Sequence, residues 1–187
     1  MKASQLVRIT RRSLGISQRE LSFRSGISQP ALATVETSKH DTSSENLERL
    51  LRATGHSLIA IPTLSRTAAE WADYIYQCIR EKKSEEMLFR AFIALNDDLV
   101  KSSPAIKVVL TVLVPPPCGD IRFDAAIAAL VEHHLANDNL PIPHWVNEPS
   151  KFLDQEWTVS RFTEREDCPR AFQRHGVIIS ESELRSV

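Results

Sequence analysis

Apolar positions recur at three- and four-residue spacing along most of the chain, and the runs are bounded by Ser, Asp or Pro starts and Gly stops, which predicts helices. From Ser4 to Leu14, Leu6, Val7, Ile9 and Leu14 mark one side of a first helix, with Arg8, Arg11 and Arg12 on the other. Ser17 to Glu36 (SQRELSFRSGISQPALATVE) then reads as two short helices around a tight corner. Ser17 is placed to cap the first of them and Glu20 to reach back to the Ser17 N–H, a capping box, while Leu21 supplies the buried contact. Gly26 falls where the backbone turns left-handed. Ser28 caps the second helix, and Pro30 falls in its first turn, where a missing N–H costs nothing. Leu32 and Val35 give that helix one apolar face; the opposite face carries Gln29, Ala31, Thr34 and Ser38, all uncharged.

A polar loop from Thr37 leads to a helix capped by Ser43 or Ser44, with Glu45, Leu47, Leu50 and Leu51, that stops at Gly55. Leu58 to Ile61 reads as a short strand ended by Pro62, with an edge that a second subunit could pair with. Residues 63–69 form a boundary, giving domains over 1–62 and 66–187. In the second domain the spacing predicts helices from Arg66 to Lys82 and from Ser84 to about Lys101 with Ser84 at the cap and Met87 at N3, and Pro104 opens a third short apolar helix or buried segment, Ala105 to Val114. Pro115, Pro116, Pro117 and Gly119 break the chain. Asp120 then caps a helix to Asn137 whose stripe is Phe123, Ala126, Ile127, Leu130 and Val131. Beyond Asn139 the pattern loosens into short elements, with an extended piece at Val177 to Ile179 and a terminal turn capped by Ser182.

Composition is ordinary for a globular protein, 42% hydrophobic and 25% charged. The longest apolar runs, such as Val108 to Val114, fall far short of the ~20 residues of a membrane span, and the N-terminus lacks a leader's apolar core, which places the protein in the cytoplasm. Cys78, Cys118 and Cys168 are too widely spaced for a disulfide framework or a CxxC metal site and are expected to be reduced, partly buried thiols. The net charge of −1 hides an asymmetry: residues 1–62 carry nine basic and five acidic side chains, the remainder fourteen and nineteen. A positive head suits a polyanion, and a negative body suits something else.

The wording SQREL followed by SGISQPALATVE closely resembles the helix-turn-helix of the Cro and phage-repressor (Xre) family. The resemblance implies a mainly α fold, with a five-helix phage-repressor-like helix-turn-helix domain and a short strand ahead of a mostly α-helical C-terminal domain. It also implies that the helix beginning at Gln29 enters the major groove of double-stranded DNA. By that resemblance Gln18 meets phosphate, Gln29 meets a base, and Ser28, Pro30, Ala31 and Thr34 approach the duplex. A Gln amide can donate to and accept from adenine at once, worth about 1–3 kcal/mol of discrimination. Arg12, Arg19, Lys39 and His40 are candidate phosphate contacts. Ala33 and Ser38-Lys39 depart from the family's commoner residues and leave the base-reading set thin, so a homodimer on an inverted repeat, with recognition helices about 34 Å apart, is expected.

The remaining chemistry points away from catalysis. His133 and His134 are adjacent and project about 100° apart on a helix, so with His144 and His175 they make no obvious metal site. Asp97-Asp98 and Glu85-Glu86 read as solvated helix faces, and no nucleophile constellation, phosphate loop or cofactor fingerprint is present. No enzyme activity, metal or cofactor is therefore expected. About the last seventy residues, from GDIRFDAAIAALVEHHLANDNLPIPHWV through CPRAFQRHGVIISESEL, resemble a region of bacterial Xre-type proteins encoded beside putative nucleotidyltransferases. That resemblance implies an antitoxin of a bacterial toxin–antitoxin pair, which binds a cognate toxin, possibly a nucleotidyltransferase, and represses the shared operon. Trp145, Trp157, Arg161, Phe172 and Arg174 are its candidate partner-binding residues. The alternative is a one-component regulator whose C-terminal domain binds a small molecule and shifts the DNA-binding equilibrium.

Overall fold

The structure, a computed structural model, describes residues 2–37, 42–159, 163 and 165–184. The chain divides into two units, Met1–Leu64 and Ser65–Val187. Both are mainly helical.

Unit 1 holds α1 (Ala3–Ser13), α2 (Gln18–Ser25), α3 (Gln29–Glu36) and α4 (Ser44–Ala53), four helices among its described residues where five are expected. Val7, Leu21, Leu32 and Leu50, one from each helix, form its core, with Ile16, Ile27, Val35, Leu47 and Ala53 packed around them. Leu14 departs from the expected stripe: it follows the last turn of α1 and stays about half exposed, while Thr10 turns inward and donates its hydroxyl to Leu6 and Val7 carbonyls. Ser43, not Ser44, caps α4 by accepting from the Asn46 N–H. The strand expected over Leu58 to Ile61 is not formed, because among the described residues no strand lies beside that segment to complete its hydrogen bonds. Leu58 and Ile59 are instead largely exposed.

Unit 2 is built around α8 (Ile121–Asn137), which packs against α5 (Ala68–Arg80), α6 (Glu85–Val100), α7 (Pro104–Val112) and α9 (Arg170–Arg174). Neighbours on every side bury Ala125, Ala128 and Ala129 as fully as Leu130, so the middle of α8 is buried all round rather than along the one expected stripe. Local caps set its companions. Thr67 and Glu70 form a reciprocal capping box at α5, Ser84 accepts from the Met87 N–H at α6, and Asp120 accepts from the Arg122 N–H at α8. α7 ends at Val112, two residues short of the expected segment, with Leu113 already extended ahead of the prolines.

The irregular C-terminal stretch is clamped onto this bundle by contacts far apart in sequence. Trp145 donates its indole N–H to the Thr111 carbonyl at 2.9 Å, and Phe172 meets Phe92 edge-on at 6.4 Å. A two-stranded parallel pair joins β1 (Trp157–Thr158) to β2 (Val177–Ile178), Trp157 opposite Val177. Gly176, at φ 75°, lets the chain pass Leu153, whose backbone oxygen would stand 3.0 Å from any Cβ placed there. The terminal turn is held by Glu183, which accepts from the Ser180 N–H at 2.8 Å, so Ser182 does not cap it as expected. All three cysteines are free and buried more fully than the sequence implied. Among the described residues no helix is long and apolar enough to cross a membrane.

Two acids lie inside, one of them, Asp98, expected to be solvated. Asp98 accepts from the Trp71 indole at 2.8 Å, the Arg66 N–H at 3.1 Å and Lys101 at 2.6 Å. Burial alone would raise its carboxyl, but these donors hold it below the usual range. Glu132 pairs with buried His175 at 2.8 Å and with Arg174, while the other His175 ring nitrogen faces the Lys151 carbonyl at 2.6 Å. Both nitrogens of that ring thus face oxygens.

His134 gives unit 2 an acid-sensitive point. Asn96 donates its amide to the Leu184 carbonyl at 2.6 Å, so its oxygen faces His134 Nε2 at 2.7 Å and the ring nitrogen is the donor. Burial, with positive charge at His133 and Lys107, pushes His134 from 6.5 down to about 4. The folded ring stays neutral while the unfolded one takes a proton near pH 6.5. Stability is therefore fully present above about pH 6.5 and is lost as pH falls toward 4. Between pH 7 and 4.5 the loss from this group is expected to be about 2–3 kcal/mol. Urea midpoints at the two pH values will show a shallower slope in His134→Gln; equal slopes would remove His134 from the account.

Candidate nucleic-acid interface

The corner between α2 and α3 begins with a half-formed cap. Ser17 accepts from the Glu20 N–H at 3.1 Å, but the Glu20 carboxylate pairs with Arg24 at 2.7 Å rather than returning to the Ser17 N–H, so the expected box is not closed. Gly26 ends α2 at φ 69° and donates to the Ser22 carbonyl at 2.9 Å. Two side chains then fix the corner. Ser22 donates its hydroxyl to the Ile27 carbonyl at 2.6 Å, and Arg49 from α4 donates to the Ser25 carbonyl at 3.1 Å. Ser28 sits at the N-cap of α3 without the side-chain capping bond expected of it.

The inward side of α3 carries more than the two apolar residues expected. Leu32 is fully buried and Val35 packs beside it, but Glu36 is buried too. Arg11 grips its two carboxylate oxygens at 2.6 and 2.8 Å and donates to the Ile16 carbonyl at 2.9 Å. Gln18 donates an amide hydrogen to Glu36 at 2.9 Å, and Arg8 donates to the Glu36 carbonyl at 3.3 Å. Gln18 therefore braces α3 from behind through one of its two amide hydrogens. The fork-on-carboxylate geometry fixes both distance and angle between α1 and α3.

The outward side is uncharged. Gln29, Pro30 and Ala31 are exposed, and Thr34, half-buried, donates its hydroxyl to the Pro30 carbonyl at 2.8 Å. Because the one acid of α3 is turned inward and paired, no carboxylate of that helix faces a phosphate backbone. Arg19 is exposed on α2 and Arg12 half-buried on α1. Ser38, Lys39 and His40 lie outside the described residues. A helix with this front, an amide near its N-terminus and small neighbours beside it, fits the width of a major groove and can pair with a base edge.

Residues 7–59 match a family model described as Helix-turn-helix. This stretch is a helix-turn-helix domain. Its second and third helices are α2 and α3, and the domain places the protein among DNA-binding transcriptional regulators. The match covers unit 1 and leaves unit 2 outside it. No curated protein and no solved structure matches the chain.

Among the expected partner-binding residues, two are corrected. Trp145 and Phe172 are in the core of unit 2, 3% and 0% exposed, because the irregular stretch folds its aromatic rings inward against α7 and α6. Arg174 is half-exposed, yet its guanidinium bonds to Glu132 and Asn147 and lies 5.3 Å over the Phe152 ring, so it braces the C-terminal stretch. Trp157 is half-buried in an open cleft, and Arg161 lies outside the described residues. Sequence reasoning missed the Arg11–Glu36 pair, although Glu36 stands four residues after Leu32 and so shares its buried face.

Proposed function

We propose that this protein is a sequence-specific transcriptional repressor that acts as the antitoxin of a bacterial toxin–antitoxin pair, binding DNA through the helix-turn-helix domain and a partner enzyme through unit 2. The observation that carries the DNA half is the uncharged outward face of α3, with Gln29 exposed at its start and Glu36 locked behind it. The partner half is supported by the resemblance of the last seventy or so residues and by the opposite charge balance of the two halves. The protein acts by binding rather than by catalysis, in the cytoplasm, and needs no metal or cofactor for it. The exposed Leu58 and Ile59 supply an edge through which a second copy pairs, so that two recognition helices meet successive half-sites of an inverted repeat.

The experiment is to recover the tagged full-length protein with its cross-linked DNA and with its bound proteins. The reading expects one inverted repeat beside its own gene to be enriched and one stoichiometric protein from the adjacent gene to co-elute. Release from DNA by a small molecule, with no co-eluting protein, would overturn the antitoxin half and favour a ligand-sensing regulator. Recovery of DNA without any enriched site would overturn the repressor half.

A further inference from the structure

The side-chain donors on the outward side of α3 are confined to its start. Gln29 carries an exposed amide, and Ser28 ahead of it is exposed and makes no side-chain capping bond. Pro30, Ala31 and Ala33 follow, with no polar side-chain atom among them. The two threonines have spent their hydroxyl hydrogens inside the helix. Thr34 donates to the Pro30 carbonyl at 2.8 Å, and Thr37 donates to the Ala33 and Thr34 carbonyls at 2.9 and 3.1 Å. Each is left with a methyl group and acceptor lone pairs.

Helical spacing gathers these groups on one ridge. Leu32 and Glu36 are buried and Val35 packs against the core, so at about 100° per residue Pro30, Thr34 and Thr37 fall on the opposite side, with Ala33 beside them. Pro30 and Thr34 are one turn apart, about 5–6 Å between Cβ atoms, which lets a single methyl group touch both.

The base pairs ask different things of such a ridge. Guanine shows two acceptors in the major groove and needs a donor, which no side chain of α3 after Gln29 supplies without breaking a bond inside the helix. Cytosine shows a donor but no methyl group. Thymine shows a methyl group, and its adenine partner an amino hydrogen that a threonine oxygen can accept. An A·T pair therefore satisfies both the apolar ridge and its lone pairs, whereas a G·C pair leaves guanine O6 and N7 unpaired once water is displaced. We propose that the body of α3 selects an A·T pair by its thymine methyl group, held between Pro30 and Thr34, which makes Thr34 a specificity-determining residue alongside Gln29. The proposal rests on the base-reading role given to α3 above and names the base pair that role selects.

The test titrates the full-length protein, at fixed salt, with the duplex site it enriches in cells. Each thymine of a half-site is replaced in turn by deoxyuridine, which removes the methyl group and nothing else. One replacement should weaken binding about threefold to fivefold, the effect of uncovering one buried methyl group. Thr34→Ser keeps the hydroxyl and lacks only the methyl, and it should erase most of that thymine-to-uracil difference. Thr34→Val keeps a methyl group and should retain it. Because the readout is a ratio of two affinities within one variant, a partly unfolded variant does not distort it. Insensitivity of every thymine to the replacement, an equal ratio in wild type and Thr34→Ser, or a G·C pair accepted at the sensitive position without loss would overturn the proposal. Those results leave base reading by α3 standing wherever the wild type still prefers its site to a scrambled duplex. Absence of that preference refutes base reading itself, and this proposal with it.

Discussion

Replacing Glu36 with alanine is expected to unfold the helix-turn-helix domain. The Arg11 side chain is 15% exposed and makes two bonds to the Glu36 carboxylate and one to the Ile16 carbonyl. Removing the carboxylate leaves a buried guanidinium unpaired and strips Gln18 of its acceptor as well. Breaking a buried pair by deleting one partner costs about 3–5 kcal/mol. A unit of this size has a total stability of only about 3–10 kcal/mol, at roughly 0.05–0.15 kcal/mol per residue. Chemical denaturation of the Glu36→Ala protein should therefore show the first transition moved to far lower denaturant, with DNA binding lost alongside it. The double variant Arg11→Met/Glu36→Leu should recover most of that stability, because it removes both charges and fills the space. A Glu36→Ala midpoint within 1 kcal/mol of wild type, judged against the same ~3–5 kcal/mol expectation, would show that the pair does not hold α3.

Phe172→Ala should damage unit 2 comparably. Phe172 is fully buried, edge-on to Phe92 and 5.9 Å from the His133 ring, so truncation leaves a cavity that the surrounding helices cannot close. Phe-to-Ala changes of this kind cost about 3–5 kcal/mol. The unit 2 transition should shift by that amount in urea, whatever partner is present. If Phe172 instead faced a partner, the melt would stay unchanged and only partner binding would weaken.

The two variants also mark where the sequence could and could not be read. Features fixed within a few residues were legible. Ser84 with Met87, Asp120 ahead of α8, Pro104 opening α7 and Gly26 at the corner all lie where local chemistry puts them. What escaped depends on distant partners. Glu36 is a carboxylate on the buried face of a helix, acceptable only because Arg11 meets it from twenty-five residues away. Trp145 and Phe172 looked available because their stretch lacks a period, but Thr111 and Phe92 draw them inside. The Leu58 to Ile61 segment has strand-forming residues and no strand to join, so propensity alone did not make it one. The outward face of α3 was legible because a short helix with its apolar residues turned inward leaves the others to solvent.

In the function proposed above, the outer face of α3 reads bases. The direct measurement is a pair of titrations, wild type and Gln29→Ala, each on a duplex carrying the enriched site and on a scrambled duplex of equal length and salt. Loss of a bidentate amide–adenine pair should weaken site binding about tenfold or more, corresponding to roughly 1–3 kcal/mol, and leave scrambled binding unchanged. Equal losses on both duplexes, or none on either, would contradict it.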